Sequence, residues 1–317
     1  KHNTLSYTEE EYVNIKKSFF KVDDEDDCTC IYTLTEKELL EDLIRQNNKP
    51  YKVVSSEYVA RVKGVEEAKI DYMLHQGTKE FDSLEGLNFN IKTKTKDVEC
   101  HTNLIMPFNA LNITLAYAIL DSLGEMEDSK FNQLLEEIKI PGRDEVIRYN
   151  GRTIIITITC TPHLEIIKRY KEKGKVKNIR LVTGSFGKGF NSWLEEYKEE
   201  KFTKYVEESM RWAYSYFIKN VDQIYITTND NAYSNITELL GKQKKEVEGK
   251  TTYFLIEDRK EAIKKAIEDS ERNDVIIISG RGNRSIFCKD RRNVEIYLDR
   301  SIVEEEIIKK KEEDNAN

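Results

Sequence analysis

Apolar positions along this chain change their period near residue 140. Upstream of that point Thr8 stands three residues before Glu11, the spacing of a capping box, and an apolar stripe follows. A helix is expected over residues 8–20. Thr35 and Glu38 repeat the spacing ahead of Leu39, Leu40, Leu43 and Ile44, which predicts a second helix. Runs at 68–74, 87–93 and 98–106 then alternate and are joined by Gly and Asn/Asp turns, the pattern of a strand meander. Helical spacing returns at 109–123 and 131–138, and a boundary falls near Pro141-Gly142.

Beyond the boundary, short β-branched runs at 153–159, 179–183, 223–228, 252–256 and 275–279 alternate with helical segments at 164–173, 193–218, 235–240 and 259–268. Continuous apolar strands between helices are the pattern of a parallel sheet buried on both faces. The expected class is therefore α/β, with a doubly wound, Rossmann-like second domain at 141–317 after a first domain at 1–140. Ligands of such sheets sit outside the carboxyl ends of the strands. The polar tail after Ile308 is expected to fray.

Composition narrows the function classes. With 317 residues the chain is long enough for two domains, and no run approaches the roughly 20 apolar residues of a membrane span. Its 51 basic and 58 acidic residues give a net charge of −7 with signs interspersed, which argues against a general nucleic-acid binder or an anionic membrane surface. Five cysteines, an odd number in a chain without a signal peptide at its start, fit reduced thiols in a cytoplasm. Cys28-x-Cys30 and Cys100-His101 lack the paired knuckle spacing of a zinc site. Lys1 is not an initiator Met, so upstream sequence is expected.

Three strand ends carry candidate chemistry. The run at 179–183 leads into Gly184-Ser185-Phe186-Gly187-Lys188-Gly189, either a tight strand-to-helix turn or a cradle of N–H groups for an anion. It lacks the Gly and hydroxyl positions of a phosphate-binding P-loop. The run at 223–228 ends in Asn229-Asp230-Asn231-Ala232-Tyr233, polar groups that suit a substrate or the cap of the next helix. The run at 275–279 ends in Gly280-Arg281-Gly282-Asn283-Arg284, where interleaved glycines and arginines suit a carboxylate or phosphate. Cys160, after another strand, reads as buried packing, with no His partner legible.

Phe108-Asn109-Ala110-Leu111-Asn112 opening a helix, followed by Pro141-Gly142-Arg143-Asp144-Glu145, resembles the interdomain hinge of the Mur ligase family, ATP-dependent ligases that add amino acids to the peptidoglycan precursor. Members of the tripeptide-synthetase type are similar along nearly the whole chain. The resemblance implies the later part of a Mur central domain followed by the C-terminal Rossmann-like domain. It implies ATP and Mg²⁺ as cofactors, with Asn109 and Asn112 near the adenine and Arg143 on the nucleotide. The start of the chain looks like the family segment in which a His and a commonly carbamylated Lys hold magnesium, positions matched by His2 and Lys16. A carbamate would give Lys16 the oxygen ligand that a hard cation prefers.

The departures are as informative. Thr157 stands where the family has an Asp for the ribose, and Cys160 where it has a His. The family's DNPR motif for the incoming amino acid is Asp230-Asn231-Ala232-Tyr233 here, without its arginine clamp. With Lys188 and Arg281 these positions form the substrate-binding set that the resemblance implies, but diaminopimelate or lysine does not follow as the acceptor. The P-loop and the uridine-nucleotide domain are missing from these residues, so an upstream half or a partner chain is expected to supply them. The expected reaction is amide ligation through an acyl phosphate. The other expectation is a degenerate homologue serving as a binding or regulatory subunit. A dinucleotide oxidoreductase ranks below both, for want of the Gly-x-Gly-x-x-Gly fingerprint.

Overall fold

A computed structural model describes residues 8–316 except 24, 77–82, 125–126, 186–198, 231–233 and 290–291. The chain divides into two compact units, Lys1–Lys139 and Ile140–Asn317. In the first, α1 (Glu9–Ser18) starts at the capping box: Thr8 Oγ1 accepts the Glu11 N–H at 3.2 Å, and the Glu11 carboxylate accepts the Thr8 N–H at 2.7 Å. Then follow β1 (Cys30–Thr33), α2 (Lys37–Asn47), β2 (Tyr51–Ser56), α3 (Glu57–Val62), a 3₁₀ turn (Glu67–Lys69), β3 (Tyr72–Gln76), β4 (Leu87–Thr93), β5 (Asp97–Thr102), α4 (Pro107–Ser122) and α5 (Asp128–Glu137).

The sheet order is β1-β2-β3-β4-β5, with β1 to β3 parallel and β3 to β5 antiparallel. The expected meander is therefore its second half only. The run at 68–74 begins in the 3₁₀ turn rather than in a strand, and 98–106 ends as a strand at Thr102. Nor does Thr35 cap α2: the cap residue is Glu36, which makes no side-chain hydrogen bond there. One face packs Tyr32, Leu34, Leu40, Leu43, Val53 and Met73 under α2 and α3. On the other, Tyr117 of α4 meets the ring edges of Tyr72 and Phe131.

The second unit holds β6 (Glu145–Tyr149), β7 (Arg152–Thr157), α6 (Thr161–Glu172), β8 (Ile179–Thr183), α7 (Glu199–Asn220), β9 (Gln223–Ile226), α8 (Ile236–Val247), β10 (Thr252–Leu255), α9 (Arg259–Glu268), β11 (Val275–Ser279), β12 (Ile286–Cys288), β13 (Val294–Ile296) and α10 (Asp299–Ala316). The early part of the helix expected at 193–218 lies outside the described residues. Six strands order as β10-β9-β8-β11-β7-β6, parallel except for β6 at the edge, while β12 and β13 form a separate hairpin. Ile154, Ile156, Val182, Ile276 and Ile278 pack against α9 and α10. The alternate set, Ile155, Leu181, Ile224 and Ile277, points the other way and is equally enclosed, as a doubly wound sheet requires.

The tail expected to fray after Ile308 instead continues α10 to Ala316, because Ile302, Val303 and Ile307 anchor the helix in the core. The five cysteines are free thiols. Among the described residues no helix is long and apolar enough to cross a membrane.

Lys96 and Asp128 pair at 2.7 Å beside the Tyr117 hydroxyl, joining β5's entry to α5. The Lys96 ammonium holds the Asp128 carboxyl below the usual carboxylate range. Its contribution is thus present above the unfolded value, near pH 4, and is lost as pH falls through the lowered value. Asp128→Asn should cost about 0.5 kcal/mol near neutral pH, the scale of a surface pair. In urea denaturation the gap between the two proteins should shrink from pH 7 toward pH 3; a constant gap would contradict the pairing.

Candidate functional site

The carboxyl ends of β7, β8, β9 and β11 open on one edge of the second sheet, since these strands run parallel. The segments leaving them meet closely. Asn229, fully buried after β9, donates from Nδ2 to the Gly184 carbonyl at 3.0 Å. Gly280 lies against the same amide at φ +114°, where a Cβ would come within 2.3 Å of Nδ2. Only glycine lets the β11 turn approach so closely.

Beside Asn229 runs a ladder of buried charges. Arg259, at the start of α9, donates from Nε and Nη2 to the two oxygens of Asp299 at 3.0 and 2.8 Å, and from Nη2 to the Ser279 carbonyl at 3.0 Å. Asp299, opening α10, also accepts from Nη1 of Arg281 at 3.3 Å. Arg281 gives Nη2 to the Arg284 carbonyl and lies 4.5 Å from the Tyr297 ring centroid and 4.9 Å from that of Phe287. Its Nε is 4.0 Å from Asp230, whose other oxygen is 3.7 Å from Arg284 Nη1. The Cys288 N–H also points at Asp230, at 3.3 Å.

Exposure grades along this ladder. The side chains of Arg259, Asp299 and Arg281 show no solvent-accessible surface, Asp230 shows 8%, and Arg284 shows 37%. Burial opposes the Arg259 charge, but Asp299 more than offsets it and leaves its ionisation above the usual guanidinium range. Burial lowers the Arg284 value, and Asp230 offsets only part of that.

A second cluster joins the hinge to β7. Asp144, at φ +61°, is buried and accepts from the Thr157 hydroxyl at 3.0 Å. His163 of α6 brings Nε2 within 2.7 Å of the same Asp144 oxygen, though out of line for a hydrogen bond. Gly142, at φ +64°, is pressed on the β11 turn: a Cβ there would lie 2.1 Å from the Asn283 nitrogen and 2.3 Å from the Gly282 carbonyl carbon. Glu145 fixes this loop by accepting the Gly142 N–H at 2.8 Å and pairing with Arg300 of α10 at 2.5 Å. The Pro-Gly-Arg and Gly-Arg-Gly signatures therefore touch. Burial pushes the Cys160 thiol up to about 11, against a Ser279 hydrogen bond, so it stays protonated and unreactive at neutral pH.

Of the residues singled out in the sequence, Asp230 and Arg281 come together here. Arg143, in the same unit, is exposed. In the first unit Asn109 is buried and donates to the Ile105 carbonyl at 2.6 Å, while Asn112, one turn on, is exposed. Lys16 is exposed on α1, its ammonium 5.6 Å from the Tyr12 ring centroid. His2, Lys188, Asn231 and Tyr233 lie outside the described residues. Arg259, Asp299 and His163 were given no role in the sequence reading, and Asp144 stood in the hinge motif without one. No local motif flags a pair such as Arg259 and Asp299, which stand 40 positions apart.

No protein-family model matches the chain. Curated relatives do: it is 26% identical over 230 residues to the UDP-N-acetylmuramoyl-L-alanyl-D-glutamate–2,6-diaminopimelate ligase of Halalkalibacterium halodurans, covering 71% of this chain and 43% of that protein. It is 29% identical over 202 residues to the protein of the same name from Aquifex aeolicus, covering 62% and 38%. The chain thus spans less than half the length of these two relatives. Among solved structures, a ligase of that name aligns over 98% of this chain and 59% of its own length at 18% identity with a TM-score of 0.57. A Mycobacterium tuberculosis folylpolyglutamate synthase complexed with ADP aligns over 88% and 58% at 12% identity with a TM-score of 0.59. These structures share the fold, and the curated relatives are Mur-type ligases.

Two changes test the packing just described. Gly142→Ala places a methyl group into backbone at positive φ and should cost more than about 1 kcal/mol in urea denaturation. Asp299→Asn strands two buried guanidinium groups and should cost about 3–5 kcal/mol, whereas Asp299→Leu combined with Arg259→Met and Arg281→Met, which leaves neither guanidinium stranded, should cost less than that single change. A triple variant less stable than Asp299→Asn would contradict the ladder.

Proposed function

We propose that this chain, a relative of the Mur-type ligases, is the later part of an ATP-dependent amide ligase acting in the cytoplasm on a cell-wall precursor. The observation that carries the reading is the meeting of Gly142 with the Gly282-Asn283 turn at the strand ends, in a chain whose relatives are named as ligases. On this reading the first unit is the later part of a Mur central domain and the second its C-terminal domain. The phosphate-binding loop comes from an upstream half or a partner chain.

The chemistry follows from charge. A precursor carboxylate attacks the γ-phosphorus of ATP, ADP leaves, and the acyl phosphate that forms is attacked by an amine; the tetrahedral adduct expels phosphate and the amine loses a proton. Asn109, Asn112 and Arg143 are assigned to the nucleotide: the exposed Asn112 amide complements a purine edge, Asn109 lies buried one turn before it with its amide on the Ile105 carbonyl, and an exposed guanidinium suits phosphate. Asp230, with Asn231, Tyr233, Lys188 and Arg281, is assigned to the amine substrate. Arg281 acts from beneath, since it is fully enclosed. Among the described residues no group of three or more His, Cys, Asp or Glu side chains is gathered to hold a metal ion, and an unmodified lysine offers a metal no oxygen ligand. Carbamylated Lys16 with His2 is the proposed magnesium pair, since a carbamate offers oxygen to a hard cation.

Natural full-length protein, incubated with ATP, UDP-N-acetylmuramoyl-L-alanyl-D-glutamate and a panel of amines, should release one phosphate per amide formed, and only when an amine is present. Arg143→Ala should raise the KM for ATP by at least about tenfold, the loss of one charged hydrogen bond. An intact protein that binds nucleotide yet forms no amide with any amine would point to the binding or regulatory homologue instead.

A further inference from the structure

Two large rings stand on the outer side of α7. Trp212 is 62% exposed, and its indole stacks on the half-buried Tyr216 one turn later, ring centroids 6.2 Å apart and planes 11° from parallel. The opposite side of the helix is fixed, since buried Tyr214 donates to Gln243 Oε1 at 2.6 Å and meets the edge of the Phe217 ring. A seated helix therefore holds the pair out to water. Its setting is cationic. The Tyr216 hydroxyl donates to Glu165 at 3.3 Å and Lys171 pairs with Asp222, so α6 and the end of α7 run side by side and Lys168 stands level with Lys219. Arg211, Lys219 and Lys168 are exposed, and none of the three enters a hydrogen bond or ion pair among the described residues. The acids nearest the rings are engaged: Glu165 accepts from Tyr216, and Glu208 lies 4.0 Å from Lys204.

We infer that this face of α6 and α7 docks an acidic protein segment that carries an aromatic or aliphatic side chain. Exposed aromatic area gathered in one patch marks interaction sites, whereas single apolar residues on a surface do not, and Trp, Tyr and Arg concentrate binding energy at protein interfaces. Trp212 and Tyr216 give the apolar side chain a floor at little cost in side-chain entropy, because stacking already fixes both rings. Arg211, Lys168 and Lys219 supply charge opposite to that of the segment. The whole chain carries −7, so a cationic patch sets this face apart and selects an acidic partner. A nucleic acid would need a longer basic track than three cations with carboxylates among them. None of these side chains belongs to the charge ladder or to the hinge cluster, so the docking face is independent of the ligase reading.

The chain's own residues 19–27, two phenylalanines followed by an acidic run, have the required chemistry and supply the probe as a synthetic peptide. Natural full-length protein is titrated with that peptide, and with a copy whose Asp and Glu are replaced by Asn and Gln, following indole N–H signals by NMR and affinity by calorimetry. The signal that disappears in Trp212→Phe belongs to Trp212. The acidic peptide should move it, the amide copy should bind at least about tenfold more weakly, and added salt should weaken the acidic peptide. Arg211→Glu and Trp212→Ser should each cost at least about tenfold in affinity, with melting temperature and ATP affinity unchanged because both side chains are exposed. Arg211→Lys, which keeps the charge, should retain part of the binding. Equal binding of the amide copy, an acidic peptide that leaves Trp212 unmoved, or a thymidine oligonucleotide or phosphatidylglycerol vesicles moving the signal where the peptide does not would each overturn the docking face.

Discussion

Two guanidinium groups with no access to water dominate the second unit. Placing Arg259 and Arg281 inside it is tolerable only because Asp299 accepts from both, and because carbonyls of Ser279 and Arg284 take remaining donors. Breaking such a pair by removing one partner costs far more than the pair contributes over an apolar replacement. The consequence is geometric: the starts of α9 and α10 and the turn after β11 cannot move independently. Asp230 and Arg284 inherit that rigidity, so the strand-end groups that face solvent stand on a foundation that does not.

The same edge is held from the hinge side by close packing. Gly142 and the β11 turn meet backbone to backbone, and Glu145 ties the loop to Arg300 of α10. Thr157 turns its hydroxyl to Asp144, a carboxylate that the hinge loop supplies in a left-handed conformation. Thr157 is thus a neutral strand residue beside an acid from a different segment, with His163 near it.

How much of this was legible depended on the physical origin of each feature. β8, β11 and α9 were readable to the residue, because continuous β-branched runs and an Asp-capped amphipathic stretch are local signals. β1 and β2 were missed: each is short and mixed, and becomes a strand only by pairing in parallel with its neighbour. The three-residue strands β12 and β13 left no run to see. Asp230 and Arg281 stood out because glycine and polar residues after a strand are visible in sequence. Arg259, Asp299 and the Asp144–His163 contact were invisible, since burial and partnership across distant positions decide their roles, and neither is written in spacing.

The central claim is that a carboxylate is activated by phosphoryl transfer before an amine takes it. Its most direct measurement uses a donor labelled with oxygen-18 in the reacting carboxylate, turned over by the natural full-length protein with ATP and amine. The account predicts that one labelled oxygen appears in the released phosphate for each amide formed. Amide formed with all label retained in donor-derived products, or released as water, would contradict it.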